Sequence, residues 1–593
     1  MSQDQIVLLL LLAGLLVMLV WGKWRYDIVA LSALFLASLL GIVPQNELFS
    51  GFGNPATITV VLVLIISYGL TQSGAVDYIL PILEPFQSQP FLHTAALTFL
   101  AAVLSMFMNN VGALALLMPI AIQSTSKAGR PPATVLMPLS FGSILGGLVT
   151  VIGTPPNILI ASYRQQVTGE AFSMFDFTPV GGVVALVGIL FMLLVGWRLV
   201  KVRQKTSGLE LFDVEGYLFE LKITKDSDLL EITSGELKKK LRGKSMDLLA
   251  MEYRKKLTKV VRLSDKQNLR ASTRLMIQGS NENVQKFAKA HKLTLHTAQN
   301  SVAGVLHSAE KEVIEVVVTP ESTIVGSTPE KINFNASYGV NLIAASRSGK
   351  PHRDILRNFQ FYVGDVLLLH GEEDKLSEAV AKMKCYPLAQ RSLALRKSNK
   401  ALPALGIFAV AILCVALGLM SIQLALGLVT VAFAVGRILP IQGFYEGVNW
   451  PVVVLLGAMI PLGTALETTG TTDLLVSGIL AVGGDLSPVV LLVLLLVITM
   501  TVSDVLNNAA TAILMAPIAY NIALSLNLNP DAFLMAVAVG ASCAFLTPIG
   551  HQNNALIMGP GGYQFGDYWR MGLPLEIIIV IVSVPMLLWV WPL

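Results

Sequence analysis

Leu104-Ser105-Met106-Phe107-Met108-Asn109-Asn110-Val111 sets two adjacent asparagines in the middle of an apolar run that extends from Phe91 to Ser126. An echo of it, Val502-Ser503-Asp504-Val505-Leu506-Asn507-Asn508-Ala509, interrupts a second apolar run from Val489 to Leu526. Polar pairs at such depth in an apolar segment are expensive in hydrocarbon and need a reason. Ser105, Asn109, Asn110, Leu116, Pro119, Ile120 and Ala121 reappear 398 positions later as Ser503, Asn507, Asn508, Leu514, Pro517, Ile518 and Ala519. A second segment, about 133–163, is broken at Gly153-Thr154-Pro155-Pro156, where prolines without N–H groups end one helix and start another. Its counterpart, about 531–558, breaks at Pro548-Ile549-Gly550; Thr150, Ile152, Gly153, Asn157 and Leu159 return 397 positions on as Thr547, Ile549, Gly550, Asn554 and Leu556. Asp176 and Gly181 recur as Asp567 and Gly572. Leu and Ile agree by chance in apolar sequence, but Ser, Asn, Pro and Gly do not, so the chain is read as an internal duplication.

Composition sets the solvent. Of 593 residues 54% are hydrophobic and 13% charged, with mean hydropathy +0.67, which marks a membrane protein. Charge is concentrated: 33 of the 42 Lys+Arg and 23 of the 38 Asp+Glu fall between Val202 and Lys400. The net charge of +4 therefore belongs to an insert, and no zinc or phosphate-loop motif accompanies it, so nucleic acid is not a partner. Three cysteines, two of them inside apolar runs, exclude a disulfide framework. Spans near the length needed to cross hydrocarbon are read at 6–20, 28–43, 56–73, 178–197, 402–420, 422–439, 449–467 and 573–592, the first a retained span.

Basic residues orient these spans. Lys23 and Arg25 place the first loop in the cytoplasm, and Lys127 and Arg130 place the end of the Phe91–Ser126 segment there too. That segment must then begin and end on one side, as a re-entrant hairpin with the Asn pair at its tip. Arg198, Lys201, Arg203 and Lys205 mark the cytoplasm again, and Arg396, Lys397 and Lys400 restart the count with the second hairpin entering from outside. The expected fold is a polytopic α-helical membrane protein of two inverted repeats, residues 1–205 and 399–593, each with a re-entrant hairpin (about 91–126 and 489–526) and a broken helix. Between them lies an α+β cytoplasmic insert, itself doubled as 206–300 and 301–398. Its second half has strands at Val313–Val318 and Asp365–Gly371 and a surface helix at Glu372–Lys384; Arg274–Gly279 followed by Asn281–Ala290 repeats the strand-and-helix pattern. The run Lys238-Lys239-Lys240 with Arg242 and Lys244 reads as a solvated face.

Inverted repeats with paired hairpins and broken helices are the architecture of secondary transporters, whose sites form at mid-membrane from helix ends. Each Asn pair starts a half-helix, and free N–H groups with the positive end of a dipole make an anion site without Lys or Arg. None lies near either tip. Na+ suits the balancing charge, since Ser and Asn oxygens and carbonyls freed at the breaks are hard ligands. The bland alternative, asparagines that only join helices, does not explain why the pairs recur in both halves.

Ser105-x3-Asn109-Asn110-Val111 ahead of Leu117-Met118-Pro119-Ile120-Ala121, with Ile152-Gly153-Thr154-Pro155-Pro156-Asn157 behind it, resembles the divalent anion/sodium symporter (DASS) family of the ion-transporter superfamily. The insert resembles two TrkA-C (RCK C-terminal) domains, and the combination resembles sulfate-permease-like members. The resemblance implies an elevator-type homodimer in the plasma membrane. It implies substrate contacts at Asn109, Asn110, Val111, Thr154, Pro155, Asn507, Asn508, Ala509, His551 and Gln552. It also implies sodium ligands at Ser105, Asn109, Asn110 and Gly153 in one site and at Ser503, Leu506, Asn508 and Gly550 in the other. The family's Ser-Asn-Thr tips read Asn109-Asn110-Val111 and Asn507-Asn508-Ala509 here, so two Thr donors are missing and a compact tetrahedral oxyanion is easier to satisfy than a dicarboxylate. The second Thr-Pro-Pro-Asn reads His551-Gln552-Asn553-Asn554, placing a titratable ring and two extra amides at the expected substrate face.

The function expected is Na+-coupled uptake of a small divalent oxyanion, sulfate first, with sodium as coupling ion, no cofactor, and an insert that regulates or assembles and takes an unidentified small molecule. A dicarboxylate or other anion, or proton coupling through His551, stays open; so does an RCK-regulated channel, although no TVGYG-like filter is present. An enzyme is not expected, for want of a nucleophile, base and metal cluster in one place. Asp504 is either an extra cation ligand or a group facing an outer water-filled vestibule.

Overall fold

The computed structural model describes residues 1–21, 24–74, 84–86, 89–200, 400–483 and 486–593. In the insert it describes 218–230, 232–242, 247–253, 256–259, 269–271, 273–278, 281–296, 312–319, 322–347, 350–352 and 356–388. Lys23, Lys201, Arg203, Lys205, Lys244, Gly279, Arg396 and Lys397 lie outside the described residues. The chain divides into two units, 1–202 with 392–557 and 563–593, and 203–391 with 558–562.

The first half runs α1 (Gln3–Trp21), α2 (Tyr26–Leu39), α3 (Pro55–Gln72), α4 (Pro90–Ser105), α5 (Asn110–Lys127), α6 (Ala133–Gly146), α7 (Pro155–Thr168) and α8 (Thr178–Phe191), the last continuing through a π turn to Leu199. Sequence sets the boundaries. Asn54 caps α3 by accepting from the Ala56 N–H at 2.8 Å, with Pro55 as the first helical residue, and Gly169 ends α7 at φ +84°. Every residue of α6 but Thr134 is buried, the mark of a helix enclosed by others and not facing lipid.

The insert comprises β1 (Leu218–Ile223), α9 (Ser234–Arg242), β2 (Asp247–Tyr253), β3 (Lys256–Lys259), β4 (Arg274–Gln278), α10 (Asn281–Ala290), β5 (Leu293–His296), then β6 (Glu312–Val318), α11 (Pro329–Ile332), α12 (Phe334–Tyr338), β7 (Asn341–Arg347), β8 (Lys350–Pro351), β9 (Val366–Gly371), α13 (Glu373–Met383) and β10 (Cys385–Pro387). Two antiparallel sheets result, ordered β3-β2-β4-β1-β5 and β8-β7-β9-β6-β10. Strand for strand the order is the same, and each sheet has its bulge in the second strand, at Leu248/Ala250 and Leu342/Ala344. Each has its own core, one around Leu221, Leu275, Ile277 and Phe287, the other around Val316, Leu367, Leu369 and Phe361.

The second half runs α14 (Ala401–Ala416), α15 (Ile422–Val435), α16 (Ile441–Glu446), α17 (Trp450–Thr468), α18 (Thr471–Gly483), α19 (Pro488–Val505), α20 (Asn508–Ser525), α21 (Pro530–Ser542), α22 (Gln552–Met558) and α23 (Tyr568–Val590). The sequence reading did not separate α18. Its 13 residues reach about 20 Å, short of the roughly 30 Å hydrocarbon core, so a search for full spans passes over it. Among the described residues six helices are long and apolar enough to cross a membrane.

The breaks are longer than the prolines suggest: α6 gives way to a 3-10 turn, Gly147–Val149, and α7 starts only at Pro155, while 543–551 separates α21 from α22. Both are tied in the same way. The Asn157 Nδ2 donates to Gly147 O (3.2 Å) and Thr150 O (2.9 Å); Asn554, 397 positions on, donates to Ala544 O and Thr547 O, both at 3.1 Å. Thr150 Oγ1 donates to Met106 O, and Thr547 Oγ1 to Asp504 O at 2.6 Å, again between matching positions. A Cβ on Gly181 would lie 2.1 Å from Leu148 O, and one on Gly572 2.3 Å from Phe545 O, so glycine is required where α8 and α23 cross the breaks.

Candidate functional site

Asn109 and Asn507 precede the first residues of α5 and α20 and cap them: Asn109 Oδ1 accepts from Val111 N (3.2 Å) and Asn507 Oδ1 from Ala509 N (3.0 Å). The second asparagines behave differently. Asn110 is buried, its Oδ1 2.9 Å from Ser105 Oγ and its Nδ2 3.1 Å from His551 Nε2, whereas Asn508 Oδ1 accepts from the N–H of the next residue, Ala509, at 2.8 Å.

His551 occupies the capping position of α22 that Thr154 occupies in α7, and its Nδ1 accepts from Asn553 N at 3.2 Å. A neutral ring that accepts at Nδ1 carries its proton on Nε2, so the amide oxygen of Asn110 belongs opposite the ring; turning that amide over points its NH2 at Ser105 Oγ and pairs every polar atom. Asn553 donates from Nδ2 to Asn110 O (3.2 Å) and Ser143 Oγ (2.6 Å), and Ser140 Oγ donates to Asn554 Oδ1 (2.9 Å). The two broken helices and the first hairpin tip are thus one hydrogen-bonded unit.

Around this unit opens a cavity with about 520 Å³ of atom-free space. Of the residues expected at the substrate, Asn109, Asn110, Val111, Pro155, Asn507, Asn508, Ala509, His551 and Gln552 line it. Thr154 does not: it is buried, with an Oγ1 that has no hydrogen-bond partner among the described residues. Of the two extra amides only Gln552 reaches the cavity, because successive helical residues turn by about 100° and carry Asn553 to the side facing Ser143. Val60, Leu64, Asn449 and Val452 also line it and were missed. The signal for Asn449 was an Asn just ahead of a helix with proline in its first turn, Asn449-Trp450-Pro451.

Of the residues expected to hold sodium, the structure forms two groups. A Cβ on Gly147 would lie 2.4 Å from the Asn110 side-chain amide and one on Gly153 2.5 Å from Gly147 O, which packs Ser105, Asn110 and Gly153 together, the turned amide presenting its oxygen to His551 and its NH2 to Ser105. A Cβ on Gly550 would lie 2.5 Å from Ser503 O. Leu506 leaves α19 in an extended conformation between Ser503 and Asn508. Asp504 is 3% exposed, so it does not face a water-filled vestibule. Its Oδ1 accepts from Leu546 N at 2.9 Å while Glu576 Oε1 accepts from the neighbouring Phe545 N at 3.2 Å. Glu576, a second buried carboxyl group, escaped the sequence reading because its counterpart 391 positions earlier is Ala185, so the repeat does not mark it.

Five helices begin at the cavity wall: α5, α7, α17, α20 and the short α22. No Lys, Arg, Asp or Glu is among its described lining residues. Converging N-termini give a positive potential without a formal charge, and free N–H groups at α5 and α20 can meet an anion; Pro155 and Pro156 contribute only the dipole of α7.

The citrate transporter family profile matches residues 16–527 and 487–593. The chain belongs to the citrate transporter family. It is 31% identical over 578 residues to the uncharacterized transporter sll0640 of Synechocystis, covering 96% of this chain and 94% of that one. It is 26% identical over 356 residues to probable sodium/sulfate cotransporter 3 of Chlamydomonas reinhardtii, covering 55% of this chain and 38% of that protein. Among solved structures the Alcanivorax borkumensis YdaH transporter aligns over 94% of this chain and 88% of its own, at 14% identity and TM-score 0.42. This citrate transporter family member is therefore a multi-pass membrane transporter of the citrate/sulfate permease type.

Proposed function

We propose that this transporter carries a small divalent oxyanion, sulfate first, into the cell together with Na+. The observation that carries the reading is the cavity where five helix N-termini and both Asn pairs meet without a charged side chain among the described lining residues. Dipoles and amides favour an anion there, and only partly neutralise a dianion, so bound cations complete the balance. The oxygens of Ser105, Asn109, Asn110 and Gly153, and of Ser503, Leu506, Asn508 and Gly550, are the ligands for them. Hydrophobic Val111 and Ala509, where Thr hydroxyls stand in the resembled family, favour a compact oxyanion over a dicarboxylate. Relatives named sodium/sulfate cotransporters support the anion and the ion.

The repeats are inverted in the membrane, the hairpin-bearing parts move as elevators within a homodimer, and the plasma membrane holds the protein with its insert in the cytoplasm as two TrkA-C-like domains. A second reading, proton coupling, draws on His551: a proton added at Nδ1 removes the acceptor of the Asn553 N–H and uncaps α22.

The experiment is uptake of radiolabelled sulfate into proteoliposomes under an inward Na+ gradient, with K+ as the control and unlabelled succinate and citrate as competitors. Na+-dependent accumulation that neither competitor blocks supports the reading. Accumulation blocked by citrate assigns the family's own anion, and accumulation driven only by a pH gradient assigns the coupling to His551.

A further inference from the structure

The helices that wall the Asn-lined cavity continue past it and enclose a second one, with about 470 Å³ of atom-free space. It is lined by Asn54 at the start of α3, Ser162 and Tyr163 of α7, Thr464 and Glu467 of α17, and Pro517 of α20, among others. From Pro155 to Tyr163 on α7, and from Ala509 to Pro517 on α20, the axial displacement is about 12 Å; from Val452 to Glu467 on α17 it is about 22 Å. On α3, which runs the opposite way, the order reverses, with Val60 and Leu64 at the first cavity and Asn54 at the second. Two cavities in series on the same four helices describe a route.

The count of basic loops assigns the far end of that route. It places the C-terminal ends of α7, α17 and α20 and the N-terminal end of α3 on the external face, so all four walls agree. Lys400 before α14 donates to Arg437 O after α15, as expected of two basic residues on one cytoplasmic side.

Tyr163 lines the second cavity and reaches toward the ends of the walls farthest from the Asn-lined one. Its hydroxyl donates to Glu467 Oε1, joining α7 to α17, and its ring meets Tyr520 of α20 edge-on at 5.9 Å and 81°. Three of the four walls are thereby tied by one side chain. The next residue, Arg164, pairs with Asp531 through Nε (2.8 Å) and Nη2 (2.9 Å) and fixes the end of α7 to α21. Among the described lining residues of the second cavity Glu467 is the one that carries a charge, and Asn54, Ser162 and Thr464 add neutral oxygens. Such a wall attracts a hydrated monovalent cation.

We propose that the second cavity is the outer vestibule of the transport route, that it gathers Na+ through Glu467, and that the Tyr163–Glu467 hydrogen bond closes the passage to the Asn-lined cavity. The inference rests on the route reading and on the orientation drawn from the loops, but not on which anion is carried. A solvent-exposed hydrogen bond to a charged group, when removed, shifts a closed–open balance by up to about tenfold.

The test is the rate at which impermeant methanethiosulfonate reagents, one cationic and one anionic, modify single cysteines in the full-length transporter in right-side-out vesicles, with the unsubstituted chain as background. Thr464→Cys reports the vestibule and Val60→Cys the Asn-lined cavity. Expected from outside is rapid modification of Thr464→Cys, several-fold faster with the cationic reagent, a preference that Glu467→Gln removes. Val60→Cys reacts slowly, and Tyr163→Phe, which keeps the ring against Tyr520, speeds it by up to about tenfold while leaving Thr464→Cys unchanged; Glu467→Gln, which keeps a neutral acceptor, gives a smaller increase. Modification of Thr464→Cys from the inside only would overturn the vestibule, and a Val60→Cys rate indifferent to both substitutions would overturn the closure. Labelling needs no uptake, so failure of sulfate transport and failure of this proposal are separate results.

Discussion

Asn110 and Asn508 stand at matching positions but hold different partners, and the difference is measurable. Asn110→Ala strips Ser105 Oγ and His551 Nε2 of a buried partner, while Asn508→Ala removes only a bond to the adjacent residue's N–H. Buried polar groups left unpaired cost about 1–3 kcal/mol each. Both variants are expected to lose Na+-driven uptake, but only Asn110→Ala should also lower the unfolding temperature of the detergent-solubilised protein; equal thermal loss in the two would show that the network around His551 does not hold the tip. The asparagines were legible in the sequence because a polar pair in an apolar run has few structural excuses. The roles of Asn553 and Ser143 were not, since the partner of a buried amide depends on which face of a seven-residue helix turns toward α6, and the short segment 552–558 carries no periodicity that fixes it.

At the scale of elements, the glycines explain the repeat in a way that residue identity does not. Gly181 and Gly572 recur because a carbonyl of each break lies where a Cβ would stand. Gly181→Ala and Gly572→Ala should each destabilise by about 1–3 kcal/mol, the usual range for overpacking, read as a lower unfolding temperature and a smaller folded fraction on size exclusion. Gly182→Ala, with its nearest neighbour 3.7 Å away, is the control expected to change little. In the insert the same logic reaches a titration. Burial pushes the Glu315 carboxyl of β6 up to about 7, so between its ordinary value of about 4.5 and about 7 the folded strand keeps a proton that the unfolded chain gives up. The stability that goes with this group is therefore full below about pH 4.5 and is lost as pH rises through about 7. Hydrogen exchange across β6 and β9, corrected for the intrinsic rate, should show that decline, and Glu315→Gln should flatten it. Strands and surface helix here were readable from composition. The shared strand order of the two sheets was not, because it depends on long-range pairing of β1 with β4 and β6 with β9 that no local pattern encodes.

For the molecule as a whole, the question is what the insert contributes to a site it does not build. Every lining residue of the Asn-lined cavity comes from the helical unit, and the insert's two sheets each close their own core. Selectivity is a difference of affinities for contacts at the site. Replacing 206–398 by a short flexible linker should therefore leave the order in which sulfate, succinate and citrate compete unchanged. The effect is expected in how much transport occurs, or in how many chains associate: a changed uptake rate at the same ranking, or a changed mass by light scattering in detergent. An altered ranking of the anions would place part of the selectivity in the insert and would mean that the cavity's helix ends are set by a unit that shares none of its walls.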